Sequence, residues 1–196
     1  MKFNLSEIQE VIEERRTIVP ELFSDRKVHK EIIKKMLNAA KWAPTHKLTQ
    51  PWRFIVFRGE ALRKFGNAHA DFYKNKVSPE EFKEKKYDTI KNRPVMSSAC
   101  IAIVLERDPE ERIPVKEEIA SVAIAVQNMS LIATAYGIGT YWGTGGMIYS
   151  QEMKTYLELG EKDEVLGFLF VGYPKREWPK STRRKPIEYF TKWVED

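Results

Sequence analysis

The stretch Ile119-Ala120-Ser121-Val122-Ala123-Ile124-Ala125-Val126-Gln127-Asn128-Met129-Ser130-Leu131-Ile132-Ala133-Thr134-Ala135-Tyr136 decides how this chain is built. It is the most apolar segment of the sequence, yet Ser121, Gln127, Asn128, Ser130 and Thr134 interrupt it. A membrane helix needs about 20 predominantly apolar residues. The segment therefore reads as a helix buried inside a soluble domain, with no membrane contact expected. Gly137 follows as a plausible left-handed stop.

Outward from this helix, residues 54–57, 99–105 and 165–171 are short apolar runs that read as buried strands. Leu5, Ile8, Val11 and Ile12 recur at helical spacing, which predicts a first helix to about residue 16 with Ser6 as its N-cap. Ile32, Ile33, Met36, Leu37 and Ala40 predict a second over residues 29–42, ended by Pro44. Residues 60–93 read as charged helix, broken at Gly66 and at Ser78-Pro79, and further helices are expected over 150–159 and 187–194. Three or four strands among 196 residues imply a small sheet wrapped by helices, with the apolar helix at its centre.

That length suits one domain, which buries roughly 70% of its unfolded surface. With 10 Phe, 8 Tyr and 5 Trp the chain is not disordered. Cys100 stands alone, so no disulfide framework or CxxC site exists. The N-terminus turns acidic at Glu7 before an apolar stretch forms, so no secretory signal is expected and a reducing, cytoplasmic compartment is. The formal net charge is +5. Between Lys175 and Lys185 lie six cations and one anion (Glu177), which accounts for that whole excess. The body of the chain is neutral, and nucleic acid is not an expected partner.

Much familiar chemistry is absent. No GxGxxG, Walker lysine or GxSxG elbow occurs. His29, His46 and His69 are too scattered for a metal site. The carboxylate pairs at 13–14, 80–81, 110–111 and 117–118 read as solvated helix faces. A borrowed cofactor is the economical idea.

Three places carry a signal. Arg15-Arg16-Thr17 ends the first helix, either as cations complementing the macrodipole or as an anion clamp. The loop from Pro44 to Trp52 is bracketed by prolines, either as a rigid binding loop or as a plain helix-to-strand connection. Gly137-Ile138-Gly139-Thr140-Tyr141-Trp142-Gly143-Thr144-Gly145 either lets a flat ligand lie on bare backbone or simply turns the chain.

In this order, and with Gly167 to Pro174 and the basic Arg184-Lys185-Pro186, these segments resemble the nitroreductase family of FMN-dependent NAD(P)H oxidoreductases. The resemblance covers nearly the whole chain, and the Pro-x-His-Lys loop is closest to the short, minimal members. It implies an α+β fold with a small mixed sheet wrapped by helices, in an entwined homodimer that binds FMN at its interface. Arg15, Arg16 and Thr17 are implied at the phosphate and ribityl chain, with Arg184 and Arg183 of the tail adding a second cation. Thr45, His46 and Leu48 are implied to reach the flavin from the partner subunit. Trp142, Gly143, Thr144 and Gly145 are implied to line it. NAD(P)H is implied as co-substrate, passing hydride through the flavin to a nitroaromatic, quinone, enone or similar small acceptor in a ping-pong relay. A reductive dehalogenase and an FMN-carrying binding or sensing protein are the alternatives.

Two positions depart from the family pattern. Ile18-Val19-Pro20 stands where another cation is common, and Leu48 replaces an asparagine. Lys47 or the basic tail are the candidates to restore the charge. Residues 175–196 are read as an extension packing on the partner subunit. Phe72, Tyr73, Phe82 and Tyr87, stranded on hydrophilic helices, are read either as a lid over the substrate face or as core.

Overall fold

Period-two alternation builds the centre of the molecule. In the computed structural model, which describes residues 4–180 and 183–195, strand β2 (Ala99–Leu105) is buried along its whole length. Ala99, Ile101, Ile103 and Leu105 enter one core layer, while Cys100, Ala102 and Val104 enter the other. Strands β1 (Trp52–Phe57), β3 (Gly139–Gly143) and β4 (Glu164–Gly172) complete a sheet of order β1-β2-β4-β3. Every pairing of these four strands is antiparallel. The sheet is thus antiparallel rather than mixed, and the parallel contact between Thr17 and Thr140 is an isolated bridge outside it.

Helix α5 (Val115–Ala135) lies on the first layer beside α2 (Lys30–Ala40). By length and composition α5 is apolar enough to span a membrane. Its Val122, Ala125, Val126, Met129 and Ala133 instead fill the core against the sheet. Helices α3 (Glu60–Lys76) and α6 (Gln151–Tyr156) cover the second layer, and α4 (Glu84–Val95) packs on α3. Helix α1 (Leu5–Glu14) buries none of its residues. Leu5, Ile8 and Ile12 point outward at 77%, 46% and 53% exposure.

The glycine segment forms strand β3, and the structure departs from the sequence reading at three further elements. Asn4 rather than Ser6 caps α1, accepting from the Glu7 N–H, and the helix stops at Glu14, before the arginines. Gly66 does not break α3, which runs through it. A Cβ at Gly66 would stand 2.2 Å from the Lys91 carbonyl oxygen, so the glycine admits the backbone of α4. The helix expected over 187–194 is a single 3-10 turn, Ile187–Tyr189. So short a segment needs packing to become helical. Here Ile187, Tyr189, Phe190, Trp193 and Val194 are all exposed.

The α3–α4 crossing makes a checkable prediction. Gly66→Ala should gain about 1 kcal/mol of helix propensity and still lower the urea midpoint, with a net loss of about 1–3 kcal/mol from overpacking. A raised midpoint would show that the crossing opens freely.

Candidate functional site

Strand β3 is an edge strand, and the segment after α1 runs along its open side. Arg15 is already extended (φ −56°, ψ 124°). The Ile18 N–H donates to the Thr140 carbonyl at 3.0 Å. In extended backbone alternate residues face one way. Arg15 and Thr17 accordingly join Thr140, Trp142, Gln127 and Ser130 around a cavity of about 180 Å³. The first and third sequence signals thus meet through one bridge.

Arg16 points the other way and is 8% exposed. Its Nη1 donates to the carbonyls of Glu13 and Arg15, closing the end of α1. Its Nε and Nη2 are buried with no hydrogen-bond partner, and the Glu14 carboxylate stands 3.7 Å from Nη2. Buried N–H groups left without a hydrogen bond are costly, and a bound anion would accept from them.

The basic tail comes to the same place. Lys175 N–H donates to the Leu22 carbonyl at 2.9 Å, and the Trp178 indole N–H donates to the Glu14 carbonyl at 2.8 Å. Residues 174–178 therefore lie on their own domain at the end of α1. Burial first, then the like charges of Arg16 and Arg184, lowers the Arg15 pKa. Arg184 is thus near enough to act on Arg15, although it is exposed, as Arg183 is. Of the tail, residues 181, 182 and 196 lie outside the described residues. Ile18 explains one departure from the family pattern: it is 2% exposed and fills the space beside Gly139, where no cation fits. Of the two candidates to restore that charge, Arg184 is at the cluster. Lys47 is occupied with the Arg112 carbonyl at 3.2 Å.

On β3, Trp142 lies toward α5 and donates its indole N–H to the Leu166 carbonyl at 3.0 Å. Gly167 makes this possible. Its φ is +142°, and a Cβ there would sit 2.2 Å from the Trp142 indole nitrogen. Tyr141 and Gly143 face the other layer. With Gly145, Ile90, Phe168 and Phe170 they line a second cavity of about 200 Å³, while Thr144 is exposed between the two glycines. His69 closes the inner end of this cavity. It is 6% exposed and accepts the Met147 N–H on Nε2 at 3.1 Å. Burial lowers its pKa to about 4, so the ring is neutral.

The lid reading is corrected here. Tyr73 is buried, Phe82 stacks on it at 5.7 Å, and Tyr87 meets Phe82 at 6.0 Å. Phe72 packs on Tyr156. These four hold α3 to its neighbours, and none lines the cavity. The residues facing it from α4 are Lys86, Thr89, Ile90 and Arg93. Their spacing of three, four and seven puts them on one helix face, a pattern masked in the sequence by the many other charges of this segment. His69, at the same cavity, has no neighbour in sequence that would single it out.

The loop after α2 stands elsewhere. Lys47, Leu48 and Gln50 hold positive φ of 48–54°, a strained run between two prolines. Thr45 Oγ1 accepts the Gln50 N–H at 3.0 Å, and His46 Nδ1 pairs with Glu117 at 2.7 Å. Leu48 is 76% exposed. The helix rises about 20 Å between Glu117 and Ser130. Thr45, His46 and Leu48 are therefore at the far end of α5 from Arg15 of the same chain.

Comparison with known proteins agrees with this architecture. The sequence model of the Nitroreductase family matches residues 12–173. A Bacillus subtilis protein, YfhC, provisionally named an NAD(P)H nitroreductase, is 31% identical over 183 residues, covering 93% of this chain and 91% of its own. The crystal structure of a nitroreductase-like family protein from Bacillus cereus matches with a TM-score of 0.84 at 29% identity over all of both chains. The FMN-dependent nitroreductase NfnB from Mycobacterium smegmatis, solved in complex with NADPH, shares the fold with a TM-score of 0.74 at 16% identity, covering 97% of this chain and 99% of its own.

His69 gives a pH prediction with a definite sign. Its pKa falls from 6.5 unfolded to about 4 folded, so the unfolded chain takes the proton more readily. Stability present above pH 6.5 is lost as the pH falls toward 4, by about 3 kcal/mol in all. Denaturation measured across this window should show the loss, and His69→Gln should flatten it. An unchanged slope would mean that His69 titrates normally.

Proposed function

Because the chain belongs to the nitroreductase family, we propose that it is an NAD(P)H-dependent FMN oxidoreductase, a cytoplasmic homodimer reducing a small-molecule acceptor. The observation that carries this reading is the pair of buried Arg16 nitrogens that make no hydrogen bond among the described residues, beside Arg15 and Arg184. Such a cluster suits a phosphate dianion, which tolerates burial only with charge-assisted partners. The names of the relatives from B. subtilis and M. smegmatis support the same cofactor and reductant.

In this reading Arg15, Arg16 and Arg184 hold the phosphate, with Thr17 and Arg183 flanking it. Trp142 and the bare backbone of Gly143, Thr144 and Gly145 support the ring system. FMN held there would supply hydride transfer between NAD(P)H and the acceptor. The chain's own residues bind and orient, and no side chain is assigned a proton-transfer role.

A second copy of the chain is the proposed occupant of the open surface. Leu5, Ile8 and Ile12 of α1, Ile124 of α5 and the aromatics of the tail are apolar and exposed in one chain. A dimer also offers Thr45, His46 and Leu48 a route to a flavin that they cannot reach in their own subunit.

Purified protein should take up FMN, lose its yellow colour with NAD(P)H under anaerobic conditions and regain it with a quinone or nitroaromatic. Bleaching without reoxidation by any acceptor would favour a flavin-carrying binding protein, and failure to take up FMN would overturn the proposal. Arg15→Met should weaken FMN binding at least tenfold, about 1.4 kcal/mol, in a fluorescence titration; unchanged affinity would remove the phosphate role. Sedimentation should find the flavin in a dimer, and a flavin-loaded monomer would contradict the shared site.

A further inference from the structure

The cavity on the α4 side of β3 has a charge pattern that the flavin reading leaves unused. Its floor, Gly143 and Gly145, belongs to the segment assigned to the cofactor, so a molecule in the cavity lies against the same backbone. Its walls are apolar: Ile90, Ile148, Phe168 and Phe170. A 150 Å³ apolar cavity takes a benzene ring. About 200 Å³ therefore admits one ring with a substituent or two, and excludes large fused systems.

The rim is cationic. Lys86 and Arg93 are seven residues apart on α4, on the face that Ile90 shares. Arg93 is fixed by Glu21 at 2.7 Å and lies over the Tyr141 ring at 5.1 Å. Lys86 has no carboxylate within ion-pair distance among the described residues, and its ammonium stands 4.6 Å from the Tyr73 ring centroid. Among the described residues no acidic side chain lines the cavity, and His69 at its inner end is neutral. One positive charge is left uncompensated.

We propose that this cavity is the acceptor site and selects single-ring acceptors bearing an anionic substituent such as a carboxylate. The ring enters between Ile90 and Phe170, and the anion meets Lys86, with Arg93 beside it. This rests on the flavin reading above. With a nitroarene as acceptor the reaction balances as follows. NAD(P)H gives a hydride and becomes NAD(P)⁺, and solvent gives one proton. The nitro group takes these two electrons and two protons, one N–O bond breaks, and water leaves the nitroso compound.

The test uses the FMN-loaded protein with 4-nitrobenzoate and its neutral near-isostere 4-nitrobenzamide. The acid should have at least tenfold the kcat/KM of the amide, mostly through KM. In Lys86→Met, an exposed site that should not disturb folding, the advantage should shrink below threefold. Calorimetry on flavin-free protein supplies a second readout, in which benzoate binds in preference to benzamide and Lys86→Met removes the preference. Equal kcat/KM for acid and amide in a protein that takes up FMN and bleaches with NAD(P)H overturns this proposal alone. So does an acid preference that Lys86→Met leaves unchanged. Failure to take up FMN overturns the flavin reading and this proposal with it.

Discussion

The hydrogen bond from the Ile18 N–H to the Thr140 carbonyl is the constraint on which the site depends. Strand β3 has a partner on one side only, and an open edge with unpaired N–H and C=O groups accepts another extended segment. The chain leaving α1 takes that place. In doing so it carries Arg15 and Thr17 to Trp142 across more than 120 residues of sequence. The burial of Ile18 against Gly139 locks the register, and with it the direction in which each arginine faces.

From that register follows the electrostatic character of the site. Alternation sends Arg15 into the cavity beside α5 and Arg16 into the protein, where two of its nitrogens make no hydrogen bond among the described residues. The tail then returns along the end of α1, held by Trp178, and adds the field of Arg184. A neutral domain thereby concentrates positive charge at one point on its edge. The same strand separates two environments: Trp142 belongs to the α5 side, and Tyr141 and Gly143 belong to the cavity under α4. A flat cofactor at this edge and an acceptor beside it need no deep cleft.

Several features were legible in the sequence because they depend on short-range pattern. The four-residue run 54–57 sufficed to place β1, the continuous apolar runs of β2 and β4 were plain, and Gly137 marked the end of α5. Other features failed for physical reasons. Gly66 looks like a helix breaker, since propensity cannot anticipate the carbonyl of Lys91 crossing above it. Arg15 and Arg16 look like last-turn cations until Asn4 and Glu14 set the helix limits. The aromatics at 72, 73, 82 and 87 look exposed on hydrophilic helices, but the packing of α3 on its neighbours buries Tyr73 and half-buries the rest. Lys86, Ile90 and Arg93 form a face whose meaning depends on what lies opposite.

The sequence by itself determined the α+β class, the central apolar helix, the concentration of charge in the tail and the ordered motifs that point to one family. These are properties of neighbouring residues and of composition. Only the tertiary structure decided that the motif after α1 and the glycine segment meet through a single bridge, and that the loop at His46 is remote from them in its own chain. It also decided which face of α4 closes a cavity. The physical reason is that strand pairing and helix packing join residues far apart in sequence, and a side chain's charge or burial takes its meaning from those neighbours.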